Sequence, residues 1–276
     1  MKTLYLSDLD GTLLGSDQRT SAYTNETINR LAGQGMLFSY ATARSWHTAR
    51  KAAAGLHAQI PLIVYNGALV IDNVTQELLV KNFFTGQEAQ ELLEAMRAAD
   101  VQPIVYGFTG GREQFRYVPA LLSDGAREFV ATRAGDVRDT PVVGEKELLA
   151  EENFYFTCID AEEKLLPLWQ RYRERFSCVY SRDIYTGEQW LELMPLRATK
   201  AHAARQLAQM LGCARIVAFG DGVNDLPLFE AADECYAVAN ADERLKARAS
   251  GVIASNDEDG VARWLAAHWQ EKAGTG

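Results

Sequence analysis

The sequence has little of what marks a secreted or disulfide-stapled protein. Its four cysteines, Cys158, Cys178, Cys213 and Cys235, form no C-x-x-C pair and no scaffold-like density, which fits a reducing, cytoplasmic setting. The four histidines, His47, His57, His202 and His268, sit at no spacing that a zinc site would use. No stretch approaches the ~20 apolar residues of a membrane span. The opening residues 1–6, with one lysine and a very short apolar run into Asp8, do not read as a signal peptide. Basic residues are also in deficit. Lys and Arg number 28 against 37 Asp and Glu, a formal charge of -9, which argues against a nucleic-acid partner and, without acidic runs, suggests a well-solvated surface. An anionic ligand would then need positive charge supplied locally in its pocket. Internal repeats and low-complexity linkers are absent too.

What is present is a chain of 276 residues with 47% hydrophobic content, enough for a sizeable core and longer than the usual single domain. Short β-rich runs alternate with helical patterns at residues 3–7, 21–34, 37–41, 45–54 and 62–65, which predicts βαβαβ with a parallel sheet. Ser45 reads as an N-cap, and Gly35 and Gly55 lie just past helix ends. The alternation returns at 215–219, 226–231, 236–239, 242–249, 252–254 and 260–269, so one sheet is expected from both ends of the chain. Between them the texture changes. Thr85 and Glu88 make a capping-box pattern, strands are predicted at 102–106, 114–118, 154–160 and 178–185, and a helix at 161–175. The expectation is a doubly wound α/β core over 1–81 and 190–276, with an α+β module inserted at 82–189 and docked on it.

The sharpest chemical signal is Asp8-Leu9-Asp10-Gly11-Thr12-Leu13, where the first strand ends. Residues two apart on an extended segment project to one side, so both carboxylates can reach one point above the strand's carboxyl edge. Close carboxylates repel, and a divalent cation relieves the repulsion; the plainer alternative is an Asx-type turn with surface aspartates. A second run, Gly220-Asp221-Gly222-Val223-Asn224-Asp225, follows the strand at 216–219 and precedes a helix, again at a strand's carboxyl edge. Alone it fits a turn capped by Asn224 as well as half of a metal site. Thr42-Ala43-Arg44 offers a hydroxyl and backbone N–H groups ahead of the Ser45 helix, as an anion site requires, and Lys200 opens a helix over 201–211.

In this order the four elements resemble the motifs of the haloacid dehalogenase superfamily of phosphotransferases. The long insert, the turn Asn66-Gly67-Ala68 after the third strand and the tail Ser255-Asn256-Asp257-Glu258-Asp259-Gly260 are similar to the Cof-type hydrolases within it. The resemblance implies a Rossmann-like core with an α/β cap, a Mg2+ ion and an aspartyl-phosphate intermediate. On this chain it implies Asp8 as nucleophile and metal ligand, Asp10 as general acid/base with its backbone carbonyl on the metal, and Asp221 as the remaining protein ligand, with Asp225 behind it. Thr42, the backbone at Ala43, Lys200 and Asn224 would hold the phosphoryl oxygens. The family's T-G-R reads Thr42-Ala43-Arg44 here, and its Lys-Gly reads Lys200-Ala201. The implied activity is hydrolysis of a small phosphorylated metabolite, such as a sugar phosphate, nucleotide or cofactor phosphate. A phosphosugar mutase and a catalytically silent metabolite-binding regulator are the alternatives. Within the insert, Arg112 and Arg116, beside Phe115 and Tyr117, are candidates for holding a second anionic group; the competing reading is a hairpin with solvated arginines.

Overall fold

The computed structural model describes residues 2–57, 60–182 and 187–269. In chain order the first stretch carries β1 (Thr3–Ser7), α1 (Ala22–Gly33), β2 (Leu37–Tyr40), α2 (Trp46–Ala52), β3 (Leu62–Val64), β4 (Leu69–Ile71) and β5 (Leu78–Lys81). The insert follows, with α3 (Gly86–Ala98), β6 (Ile104–Thr109), β7 (Arg112–Tyr117), α4 (Asp124–Ala131), β8 (Asp139–Pro141), β9 (Glu152–Asp160), α5 (Glu162–Tyr172), β10 (Phe176–Arg182) and β11 (Gln189–Pro195). The last stretch holds α6 (Lys200–Leu211), β12 (Arg215–Gly220), α7 (Leu226–Ala231), β13 (Glu234–Val238), α8 (Glu243–Lys246), β14 (Gly251–Ile253) and α9 (Gly260–His268). Two compact units result: Met1–Lys81 with Ala198–Gly276, and Asn82–Arg197.

The first unit is an α/β core in which both ends of the chain build one parallel sheet, ordered β14-β13-β12-β1-β2. Its central strands are apolar on both faces, with Leu4, Leu6, Val217, Ala218 and Phe219 buried, as a sheet covered on both sides demands. From β1 the chain steps outward to β2, and from β12 it steps the opposite way to β13. Right-handed crossovers then place the connecting helices on opposite faces, and α1 indeed packs with α9 while α6 packs with α7. The reversal falls between β1 and β12, whose carboxyl ends lie side by side. In open α/β sheets such a switch point is where ligands bind.

One expectation changes here. The run at 62–65 does not continue the parallel ladder: β3 touches the end of β2 through the single bridge Ala41–Ile63, then pairs antiparallel with β4, which pairs with β5. The cause is local. Tyr65, Asn66 and Gly67 all take left-handed backbone angles (φ 50°, 53° and 97°), and three in succession reverse the chain at once.

The insert is a six-stranded sheet, β10-β11-β9-β6-β7-β8, with α3 and α5 packed over one face. Alternate residues supply that face: Phe156 and Cys158 from β9, Leu191 and Leu193 from β11, against Leu92 and Met96 of α3 and Leu165 and Leu168 of α5. Thr85 and Glu88 close both bonds of the capping box. The insert runs to Arg197, past the expected end at 189, because β11 lies between β9 and β10 and belongs to this sheet. Of the strand expected at 178–185, residues 183–185 lie outside the described residues.

Candidate active site

The β1 ladder extends one residue beyond the strand, where Asp8 N–H donates to the Phe219 carbonyl at 2.9 Å. That bond fixes Asp8 at the switch point, buried at 5% exposure. Across from it, Lys200 Nζ lies 2.8 Å from Asp8 Oδ1 and 2.7 Å from Asp225 Oδ1, with all three side chains buried. The lysine is delivered by the first turn of α6, which Thr199 caps by accepting from His202 N–H. The turn at Gly67 seats that helix end: a Cβ there would stand 2.3 Å from the Thr199 carbonyl oxygen, so only glycine lets the two backbones approach.

Asp225 has a second task. Its Oδ2 accepts from the N–H groups of Asp221 and Gly222, both at 3.2 Å, which folds the Gly220–Asp225 turn around its carboxylate. Asn224 lies exposed on that turn and does not cap α7, whose N-cap position is Asp225. Asp221 in turn accepts from Thr12 Oγ1 at 3.0 Å, joining the two aspartate-bearing loops.

Asp8, Asp221 and Asp225 can each bring a carboxylate oxygen within 4.8 Å of the others. Burial pushes Asp8 well up from the ordinary carboxylate range, Lys200 opposes it, and the neighbouring Asp225 and Asp221 add to the rise. Asp221 is pushed up to about 6, by burial first and then by Asp225. Burial disfavours the charge on Lys200, but Asp225 and Asp8 outweigh it and raise its pKa. Three carboxyl groups thus share one buried ammonium. The remaining donors are hard oxygens without nitrogen or sulfur, a set that suits a hard divalent cation.

Asp10 lies outside that cluster in this structure. Its carboxylate is half exposed and held by the Arg44 guanidinium, Nε to Oδ2 at 2.8 Å and NH2 to Oδ1 at 2.6 Å. Thr42 is buried at the end of β2, beside β1, and its Oγ1 accepts from Arg44 N–H at 3.1 Å. Ala43 is not among the residues with left-handed angles, so alanine sits there without the strain that would call for glycine. Sequence reasoning missed Arg44 as the partner of Asp10 and Thr12 as the partner of Asp221. Both lay inside quoted motifs, yet nothing local signals a pairing across 34 or 209 positions.

In the insert, Arg116 serves the fold. Its guanidinium donates to the Glu147 and Leu149 carbonyls, Thr109 Oγ1 and Gln114 Oε1, which engages all three nitrogens. This replaces the expectation that Arg116 holds a ligand anion, because no N–H group is left aimed outward. Arg112 is exposed and donates to the Val137 carbonyl at 2.8 Å.

The family model of the haloacid dehalogenase-like hydrolases matches residues 5–265. Similar proteins include an HMP-PP phosphatase of Serratia proteamaculans, 27% identical over 98% of this chain and 96% of that protein. A 5-amino-6-(5-phospho-D-ribitylamino)uracil phosphatase of Bacillus subtilis is 26% identical over 94% and 95%. Among solved structures, a haloacid dehalogenase-like hydrolase from Bacteroides thetaiotaomicron superposes with a TM-score of 0.78 at 23% identity, covering 98% of this chain and all of that one. Among the described residues no helix is long and apolar enough to cross a membrane. The chain belongs to the haloacid dehalogenase-like hydrolases, and its chemistry is that of a phosphatase-type hydrolase.

Proposed function

We propose that the chain is a Mg2+-dependent phosphatase acting on a small phosphorylated metabolite through phosphorylated Asp8. The supporting observation is the buried row Asp8–Lys200–Asp225, with Asp221 alongside, at the carboxyl ends of β1 and β12. Asp8, Asp221 and the backbone carbonyl of Asp10 would hold the cation, with Asp225 behind them. Bound there, Mg2+ supplies charge neutralisation for a phosphoryl group.

The protein's own groups account for the rest. Lys200 holds the Asp8 carboxylate in place, and its ammonium is aimed where phosphoryl oxygens would arrive. Thr42, the Ala43 backbone and Asn224 complete the phosphate contacts. An oxygen of Asp8 attacks phosphorus, the ester P–O bond breaks, and Asp10, acting as the general acid, passes a proton to the leaving alkoxide. Water then attacks the aspartyl phosphate, Asp10 takes its proton, and the bond between phosphorus and Asp8 breaks to release phosphate. To act, Asp10 must turn from Arg44, which frees a guanidinium for a substrate oxygen.

The insert is proposed to select the leaving group, with Arg112 still a candidate. The substrate named for the Bacillus subtilis relative makes uracil-bearing phosphates the first compounds to screen. Four free thiols accord with a reducing, cytoplasmic setting. Phosphate release from p-nitrophenyl phosphate should vanish with chelator, return with Mg2+ and be absent in Asp8→Asn. Undiminished turnover by Asp8→Asn would remove Asp8 as the nucleophile.

A further inference from the structure

The tail at 255–260 marks the sequence, but the chemistry above gives it no task. In the structure it reaches back across the core to the loop that follows Asp8. Asn256 Nδ2 donates to the Leu14 carbonyl at 2.9 Å, Asp257 Oδ1 accepts from Ser16 N–H at 2.7 Å, and Asp259 Oδ1 accepts from the hydroxyls of Ser21 and Thr24. The linking residue is Asn240, in the loop after β13. Its Oδ1 accepts from Asn256 N–H at 3.1 Å, while its Nδ2 donates to the Gly11 carbonyl at 2.7 Å. Two residues on, Asp242 N–H donates to the Asp221 carbonyl at 2.9 Å. One short loop therefore grips both aspartate-bearing turns.

Gly11 directly follows Asp10, and its backbone is confined from the other side as well. It takes φ +71°, and a Cβ there would lie 2.3 Å from Asp221 Oδ2. The turn over Leu9–Leu13 is closed by the bond from Leu14 N–H to the Leu9 carbonyl at 2.8 Å, and two of its residues, Asp10 and Gly11, depart from helical angles. Such a turn owes its placement to what holds it from outside. A proton donor misplaced by about 1 Å loses on the order of 10²-fold in rate, so the position of Gly11 is the position of the acid.

We infer that Asn240, backed by Asn256 and Asp257, is the positioning residue for Asp10, setting where the proton donor stands through the Gly11 carbonyl. The inference rests on the phosphatase reading for its catalytic consequence, though the brace itself does not. Asn240 is exposed, and its bond competes with water, so it contributes little to global stability. Its value is positional.

The test uses the full chain with Asn240→Ala, which removes both bonds, and Asn240→Asp, which keeps the acceptor for Asn256 but sets an oxygen against the Gly11 carbonyl. Single-turnover formation of the aspartyl phosphate is measured with an alkyl phosphate, whose leaving group needs a proton, and with p-nitrophenyl phosphate, whose leaving group needs little. Both variants should lose at least 10-fold more rate with the alkyl than with the aryl substrate. KM, the Mg2+ half-saturation point and the melting temperature should stay close to wild type. Amide hydrogen exchange should quicken in peptides covering residues 9–16 and, in Asn240→Ala, at Asn256, whose N–H loses its acceptor, and not elsewhere in the core. Equal losses on both substrates, or a selective loss in Asn240→Ala alone, would overturn the assignment; so would unchanged exchange over 9–16. If the wild-type chain releases no phosphate from any substrate, the functional reading fails, and the exchange measurement still decides whether Asn240 braces the turn.

Discussion

Lys200→Met removes the ammonium that faces Asp8 and Asp225 and keeps an unbranched side chain one atom shorter. The lysine touches Asp8 and Asp225 at 2.8 and 2.7 Å, and the side chains of those partners are 6% and 0% exposed. Removing one partner of a buried pair leaves the other charge uncompensated, at a cost of about 3–5 kcal/mol. For a chain of this size each kcal/mol moves the melting temperature by roughly 2–4 °C, so a loss of roughly 6–20 °C is expected at pH 7.5 in chelator. The loss should depend on pH, and its sign follows from linkage. Burial already raises the Asp8 pKa and Lys200 holds it down, so without the lysine it rises further. A group whose folded pKa lies above its unfolded value favours the fold below the unfolded pKa and loses that contribution as pH rises through the folded one. The variant's deficit should therefore shrink between pH 7.5 and pH 5, where a protonated Asp8 no longer needs a cation. Thermal unfolding followed by circular dichroism at both pH values decides the matter. An unchanged melting temperature at pH 7.5, or the same deficit at both, would refute the reasoning.

Mg2+ should raise the melting temperature fully above pH ~7 and progressively less as pH falls through about 6, since Asp221, raised to about 6, then holds a proton where the cation would bind. A shift independent of pH would place the cation elsewhere. Arg44→Ala should raise KM for a phosphate monoester by ~5-fold or more, the worth of one charge-assisted contact; a kcat loss at constant KM would show that Arg44 only orients Asp10. Gly67→Ala should destabilise the fold by about 2 kcal/mol or more in urea unfolding, because a left-handed angle and a collision with the Thr199 carbonyl act together. Without that loss, the Gly67 turn is not the seat of Lys200.

The core was legible because its signals are local. Alternating runs specify β1, α1 and β2 within a residue or two, and a parallel sheet brings the ends of β1 and β12 together, so motifs written at strand ends had to converge on one edge. The insert was legible only in part. The capping box at Thr85 is a four-residue pattern and was found, while β11 follows a break in texture and was assigned to the core, since only its pairing with β9 and β10 shows where it belongs. The β3–β4 hairpin was hidden for a similar reason: Asn66 and Gly67 announce a turn, but not that Tyr65 joins them in left-handed angles and sends the chain straight back.

The contacts that escaped are those whose partners lie far apart in sequence and whose residue types are ordinary at each end. Arg44 reads as part of an anion loop until the structure shows it clasping Asp10, and Asn240 reads as a polar loop residue until its amide is found on the Gly11 carbonyl, 229 positions away. Neither has a periodicity or a chemical oddity to betray it. A nucleophile and its metal ligands are conspicuous because several acids in one place are costly and therefore rare. The side chains that aim those acids form single, inexpensive hydrogen bonds, so the composition of a loop gives no sign of them. In this fold the aiming contacts come from the loops after β2 and β13 and from the tail before α9, which all run toward the edge where β1 ends. Knowing the sheet order would therefore have narrowed the search for partners of Asp10 and Gly11 to those few loops, even before any side chain was placed.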